Sequence, residues 1–196
     1  MALAQNVARL DEAEYLRLER QADYRSEFFD GEMIAMAGGT RQHSLIGANV
    51  VGEMRAQLTA TNCVTYNSEL KVKIEATGLF VYPDVSIVCG EQRFLDQEQD
   101  VLLNPTMIVE VLSDSTEAYD RGKKFEHYRQ IPSLRAYLLV SQKEPIVEMF
   151  YLHSTGEWSL KEAAGMNGKL ELPAFGIVVR LAEVYARVQF PPTRLR

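Results

Sequence analysis

The sequence predicts an α/β fold, a mixed β-sheet flanked by helices, and three observations predict it. Apolar residues recur at helical spacing over residues 43–58, where Leu45, Ile46, Val50, Met54 and Leu58 make one stripe. The period then changes to two: CVTYNSELKVKIEATGLFVYPDVSIVCG, residues 63–90, alternates as strands do. Finally, the compact apolar runs TMIVEVL and RAYLLVS bracket a polar stretch of helical character, STEAYDRGKKFEHYRQ. Strands and helices in this order pack as layers around one core.

Each element has its own signal. Asp11 caps a short first helix, Glu14 lies three residues on as in a capping box, and Tyr15, Leu16 and Leu18 give it an apolar side. In SEFFDGEMIAMAG, Asp30-Gly31 is a hairpin turn between two short strands, and Gly38-Gly39 ends the hairpin. Ala76-Thr77-Gly78 divides the strand region after the second helix. A polar excursion over residues 91–105 leads into TMIVEVL, and Pro132 stops the helix that follows. PIVEMFYL and EWSLKEA continue the sheet in antiparallel fashion, and LPAFGIVVRLAEVYARV closes with a strand and a short helix. Without repeats or a low-complexity linker, residues 1–196 read as one domain.

Composition narrows the class. With 46% hydrophobic and 24% charged residues, the chain can bury a core, which excludes disordered and fibrous classes. Its apolar runs all fall short of the roughly 20 residues needed to cross a bilayer. The start, MALAQNVARLDEAEY, lacks a basic region followed by an apolar one, so a cytoplasmic location is expected. Cys63 and Cys89 form neither a C-x-x-C pair nor a disulfide framework, and two thiols in a reducing cytosol are the expectation. A net charge of -6 argues against coating nucleic acid by bulk electrostatics but leaves room for a local basic groove. Phosphate loops, nucleophile elbows, H-E-x-x-H and G-x-G-x-x-G are all missing.

Two carboxylates interrupt strands that otherwise read as buried. Glu110 is flanked by Met107, Ile108, Val109, Val111 and Leu112; Asp84 follows Pro83 in FVYPDVSIVC. An ionised carboxylate in such a strand costs several kcal/mol unless a partner or cation compensates. On neighbouring strands the two could converge on one hard cation, since Mg²⁺ needs only one or two protein carboxylates beside water and phosphate. A carboxylate in a strand also commonly meets an arginine or a solvated edge instead.

With these residues in view, the chain resembles the PD-(D/E)XK nuclease superfamily, through Pro83-Asp84 and Glu110-Val111-Leu112. More narrowly it is similar to the Uma-two-type restriction endonucleases. The matching pieces are DGEMIAMAG, Arg41-Gln42-His43, YPDVSIVC, NPTMIVEVLSDSTEAYDRGKKFEHYRQIPSLRAYLLVS and LPAFGIVVRLAEVY. The resemblance implies a restriction-endonuclease-like fold and hydrolysis of DNA phosphodiesters with Mg²⁺ or Mn²⁺. It implies Asp84, Glu110 and the Val111 carbonyl as metal ligands, with Glu32 of the DGEMIAM block as a further acidic group, and a homodimer as the assembly. Period two puts residue 112 where the superfamily's lysine points, and that residue is Leu112. The family's stand-in is a lysine from the next helix, which here is Lys124; an ordinary ion pair with Asp120 is its alternative. His43, Arg121 and Lys123 are the candidate substrate contacts, against capping or solvated surface roles. The competing function is a non-catalytic binding or interaction module, which Leu112 and the acidic charge favour.

Overall fold

The computed structural model describes residues 9–190. Helix α1, Glu12–Glu19, begins where Asp11 accepts the Glu14 N–H at 2.8 Å. Strands β1, Ser26–Phe29, and β2, Glu32–Ala35, form the first hairpin, with Ser26 opposite Ala35. Asp30 and Gly31 turn it with φ of 48° and 82°, the left-handed pair that a two-residue hairpin demands and that Asp-Gly supplies. Helix α2, Arg41–Leu58, buries Ile46, Val50, Met54 and Leu58, the stripe visible in the sequence.

Eleven further strands follow: β3, Cys63–Asn67; β4, Lys71–Ile74; β5, Leu79–Val81; β6, Val85–Cys89; β7, Val101–Leu102; β8, Met107–Val111; β9, Ala136–Val140; β10, Ile146–Leu152; β11, Trp158–Ala164; β12, Lys169–Leu172; and β13, Ile177–Arg180. They form two main sheets in place of the single one expected. The smaller has the order β2-β1-β5-β4-β7, the larger β11-β10-β9-β8-β6-β3, and β12 and β13 make a separate hairpin. Both main sheets mix parallel and antiparallel pairs: β4 and β7, like β8 and β9, run parallel. The break falls at Pro83, which leaves β5 in the smaller sheet and starts β6 in the larger. A proline offers no N–H to a ladder, so it suits a crossing point between sheets. Among the described residues no helix is long and apolar enough to cross a membrane.

The larger sheet is covered on both faces. Met107, Val109 and Val111 of β8 join one core with α2, while Ile108 and Leu112 join another with Val72, Tyr128, Tyr137 and Leu139. Period two therefore sends Glu110 to the second face, between the two sheets. The helix after β8 lies on that face in three pieces: α3, Glu117–Tyr119; a π-turn, Asp120–Lys124; and α4, Phe125–Tyr128. Phe125 stacks on Phe150 at 4.2 Å between ring centroids, and the Tyr137 hydroxyl donates to the Asp120 carbonyl at 3.0 Å. The last helix, α5, Leu181–Val184, packs beside α2, whose Asn49 donates to the Val184 carbonyl at 3.0 Å.

The cysteines differ from expectation. Cys63 of β3 and Cys89 of β6 face each other across the ladder and are joined as a disulfide, their Cα atoms 3.9 Å apart. Twenty-six residues separate them in sequence, so spacing carried no sign of the strand pairing that brings them together.

Candidate metal and phosphodiester site

Glu110 is 4% exposed and Lys124 6%, which makes them among the most deeply buried charges of the molecule. The Lys124 ammonium stands 2.9 Å from Glu110 Oε1, 3.3 Å from Glu27 Oε1 and 3.5 Å from Asp120 Oδ1. The buried Tyr128 hydroxyl donates to the same Glu110 Oε1 at 2.7 Å. One oxygen of Glu110 is thus fixed by two donors. The other, Oε2, accepts a long 3.4 Å bond from the Asp84 N–H.

Asp84 lies directly before β6, and β6 pairs with β8 so that Val85 faces Val109. The Val111 N–H donates to Asp84 Oδ2 at 2.7 Å, and His43 Nε2 lies 3.2 Å from that oxygen. Each carboxylate therefore takes a backbone N–H at the other's strand position, and the two are held at one place. His43 comes from the first turn of α2, where Thr40 caps the helix by accepting the His43 N–H at 3.1 Å.

The electrostatics are strained in one direction. Burial pushes the Glu110 carboxyl up to about 8; the Lys124 ammonium pulls it back, while the Asp84 and Asp120 charges push it further up. Lys124 is held above its ordinary value: burial opposes its charge, but the surrounding carboxylates Glu110, Glu27 and Asp120 outweigh that. The hydrogen bond to Asp84 raises His43, with burial acting against it and the Val111 backbone acting with it. A buried site with more carboxylates than cations favours an added cation.

The structure brings Asp84, Glu110, Val111, Lys124 and His43 together. Lys124 does pair with Asp120, but as one partner of three. Glu32 is not in the cluster; it is exposed on β2, opposite Phe29. The acidic group that the first hairpin supplies is Glu27. Arg121 is engaged by Glu117 at 2.9 Å and by Glu148, and Lys123 is exposed and pairs with Glu126 at 3.2 Å. The one-residue step from Lys123 to Lys124 separates solvent from core.

Sequence reasoning missed Glu27, Asp120 as a cluster member, and Tyr128. Glu27 sits in SEFF, whose alternation fits a half-exposed strand, and only its contact with Lys124 of the helix after β8 distinguishes it. Tyr128 carried a faint signal, an aromatic four residues beyond Lys124 on the same helix face.

Among the described residues no three His, Cys, Asp or Glu side chains form a ready-made metal cage. Two carboxylates and a backbone carbonyl do not require one, because Mg²⁺ keeps several waters and takes substrate phosphate as a ligand. The residues present fit such an ion: Glu110 Oε2 and Asp84 lie on neighbouring strands at a site already rich in negative charge.

Fold and site together define a restriction-endonuclease-like α/β protein. Residues 12–182 match the model of the Uma2 family, described as "Putative restriction endonuclease", and the chain belongs to this family. Two uncharacterised proteins of Synechocystis sp. strain PCC 6803 are similar to it. One is 34% identical over 93% of this chain and 94% of its own length; the other is 35% identical over 83% and 92%. A crystal structure of a DUF820 protein from Anabaena variabilis, described as a putative nuclease, superposes with a TM-score of 0.73 over 90% of this chain and 98% of that one. At 16% identity it is similar in fold.

Proposed function

We propose that the protein is a divalent-metal-dependent nuclease that hydrolyses phosphodiester bonds of DNA. The observation that carries this reading is the convergence of Asp84 and Glu110 from neighbouring strands beside the buried Lys124. Asp84, Glu110 and the Val111 carbonyl would hold Mg²⁺ or Mn²⁺. The bound ion supplies Lewis-acid polarisation of a phosphoryl oxygen and a lowered pKa for bound water.

The chain's own groups do the rest. Tyr128 and Lys124 both donate to Glu110 Oε1, which turns Oε2 toward Asp84. His43 and the Val111 N–H orient Asp84 in the same way. Lys124, aimed by three carboxylates, is the group that neutralises charge developing on the transferred phosphoryl oxygens. The ammonium reaches the cluster from the helix, which supports the nuclease reading although Leu112 stands at the strand position. A location in the cytoplasm, where DNA is accessible, and a homodimer able to cut both strands belong to the same proposal.

The test is cleavage of a DNA duplex with Mn²⁺ or Mg²⁺ present and after chelation. Asp84→Ala and Glu110→Ala each abolish cleavage while circular dichroism stays native. Cleavage that survives either substitution would place the chemistry elsewhere.

A further inference from the structure

A cavity of about 470 Å³ lies between β1, the turn after β4 and α4, and none of its residues belongs to the metal cluster. It is large enough for a small ligand. Phe29, Thr77, Lys123, His127 and Arg129 are among the residues that line it. Thr77 Oγ1 and His127 Nδ1 are both buried with no hydrogen-bond partner among the described residues. Two orphaned polar atoms on side chains that line one cavity are unusual, because buried polar atoms are nearly always paired. Phe29 is 40% exposed, and its ring meets that of His127 at 4.9 Å between centroids.

The cavity's place relative to the cluster follows from periodicity. Glu27 and Phe29 are two residues apart on β1, hence on one face and about 6.6–6.8 Å apart along the strand. Lys124 and His127 are three residues apart on the helix, hence neighbours on its surface. Glu27 meets Lys124 at 3.3 Å, and Phe29 meets His127. The cavity therefore begins one strand period along β1 from Glu27, which meets the Lys124 ammonium.

We propose that this cavity is a subsite for a nucleotide drawn out of the duplex next to the scissile phosphate. Its base lies against Phe29 and His127, its edge bonds to Thr77 Oγ1 and His127 Nδ1 once these side chains turn into the cavity, and its phosphate meets Arg129. The proposal rests on the nuclease reading. Stacking on an aromatic face accepts any base, and the two polar atoms add edge contacts. Burial lowers the His127 pKa, Lys123 acts in the same direction and Glu126 against it, so the ring is a neutral hydrogen-bonding group. Glu126, which also lines the cavity, pairs with Lys123, so Arg129 supplies the positive charge left for a phosphate contact among the described residues.

The test is fluorescence anisotropy of the whole chain with a short single-stranded DNA oligonucleotide in chelator, where nothing is cut. Phe29→Ala weakens binding at least about fivefold. Arg129→Ala weakens it and lowers the salt slope by about one. Thr77→Val weakens it about twofold, the low end for one lost hydrogen bond. Arg55→Ala, exposed on α2, leaves binding unchanged. No binding by the native chain, native affinity in Phe29→Ala and Arg129→Ala, or an equal loss in Arg55→Ala would overturn the subsite. Expected binding losses with no Mn²⁺-dependent cleavage by the native chain would leave the subsite standing and remove the catalytic reading.

Discussion

Lys71 and Lys124 are equally buried, with side chains 6% and 7% exposed, yet they stand in opposite kinds of network. Lys71 meets Asp100 at 2.9 Å, and Arg20 meets Asp96 and Asp100 at 2.7 Å each, so two cations face two carboxylates. Burial pushes Asp100 up, but hydrogen bonds from Arg20 and Lys71 more than offset it and hold the carboxyl at about 2. Lys124 is one cation among Glu27, Glu110 and Asp120, with Asp84 close enough to act on Glu110. There the carboxyl of Glu110 rises to about 8 instead. The balanced network is complete as folded and ties α1 to the 96–100 loop. The unbalanced one is short of positive charge at the place where two carboxylates converge. The proposed cation site rests on that difference.

The largest effect expected from breaking the contrast is on stability. Lys124→Met leaves buried carboxylates unpaired and costs about 3–5 kcal/mol in chelator. Added Mn²⁺ restores part of the loss without restoring cleavage, as paired denaturation curves would show. Lys71→Met, which leaves Asp100 its bonds to Arg20, costs roughly 1–2 kcal/mol, and Mn²⁺ restores none of it. Similar losses in both variants, both blind to Mn²⁺, would erase the distinction.

How much of this the sequence disclosed depended on whether a signal was local. Helix α2, the Asp30-Gly31 turn and the apolar strand around Glu110 are written in spacing and turn chemistry, and all three are present. Asp84 and Glu110 stood out because a carboxylate inside an apolar strand is costly, a physical signal that needs no partner to be seen. Lys124 was reached through family resemblance; the polar helix around it gives no local sign that one lysine is buried and its neighbour exposed. Glu27, the division into two sheets and the pairing of Cys63 with Cys89 depend on contacts between distant segments, which periodicity cannot report.

Smaller effects sharpen the same comparison. His43 has a folded pKa above its ordinary 6.5 because Asp84 accepts its hydrogen bond. The stability it contributes is fully present below about pH 6.5 and is lost as pH rises through the folded value. The difference in melting temperature between native protein and His43→Asn should therefore shrink from about pH 5.5 to about 8.5. A difference that grows with pH would mean the pair is not ionic. Asp100, held low, behaves in the opposite sense: its contribution persists above its ordinary 3.8 and disappears as pH falls through about 2. Smallest of all, Lys123→Met changes stability by less than about 0.5 kcal/mol and leaves metal affinity unaltered, since its exposed ammonium pairs only with Glu126 among the described residues.

The most direct measurement is calorimetric titration of Mn²⁺ into the native chain, Glu110→Gln and Asp100→Asn. The native protein and Asp100→Asn should bind with the same affinity, because a balanced ion-pair network has no role in holding the metal. Glu110→Gln should lose at least about tenfold in affinity, the range for a ligand-shell change. It should also remain folded, since one charge has been taken from a crowded cluster. Native affinity in Glu110→Gln, or no Mn²⁺ binding by the native chain, would contradict the assignment of the Lys124 cluster as a cation site.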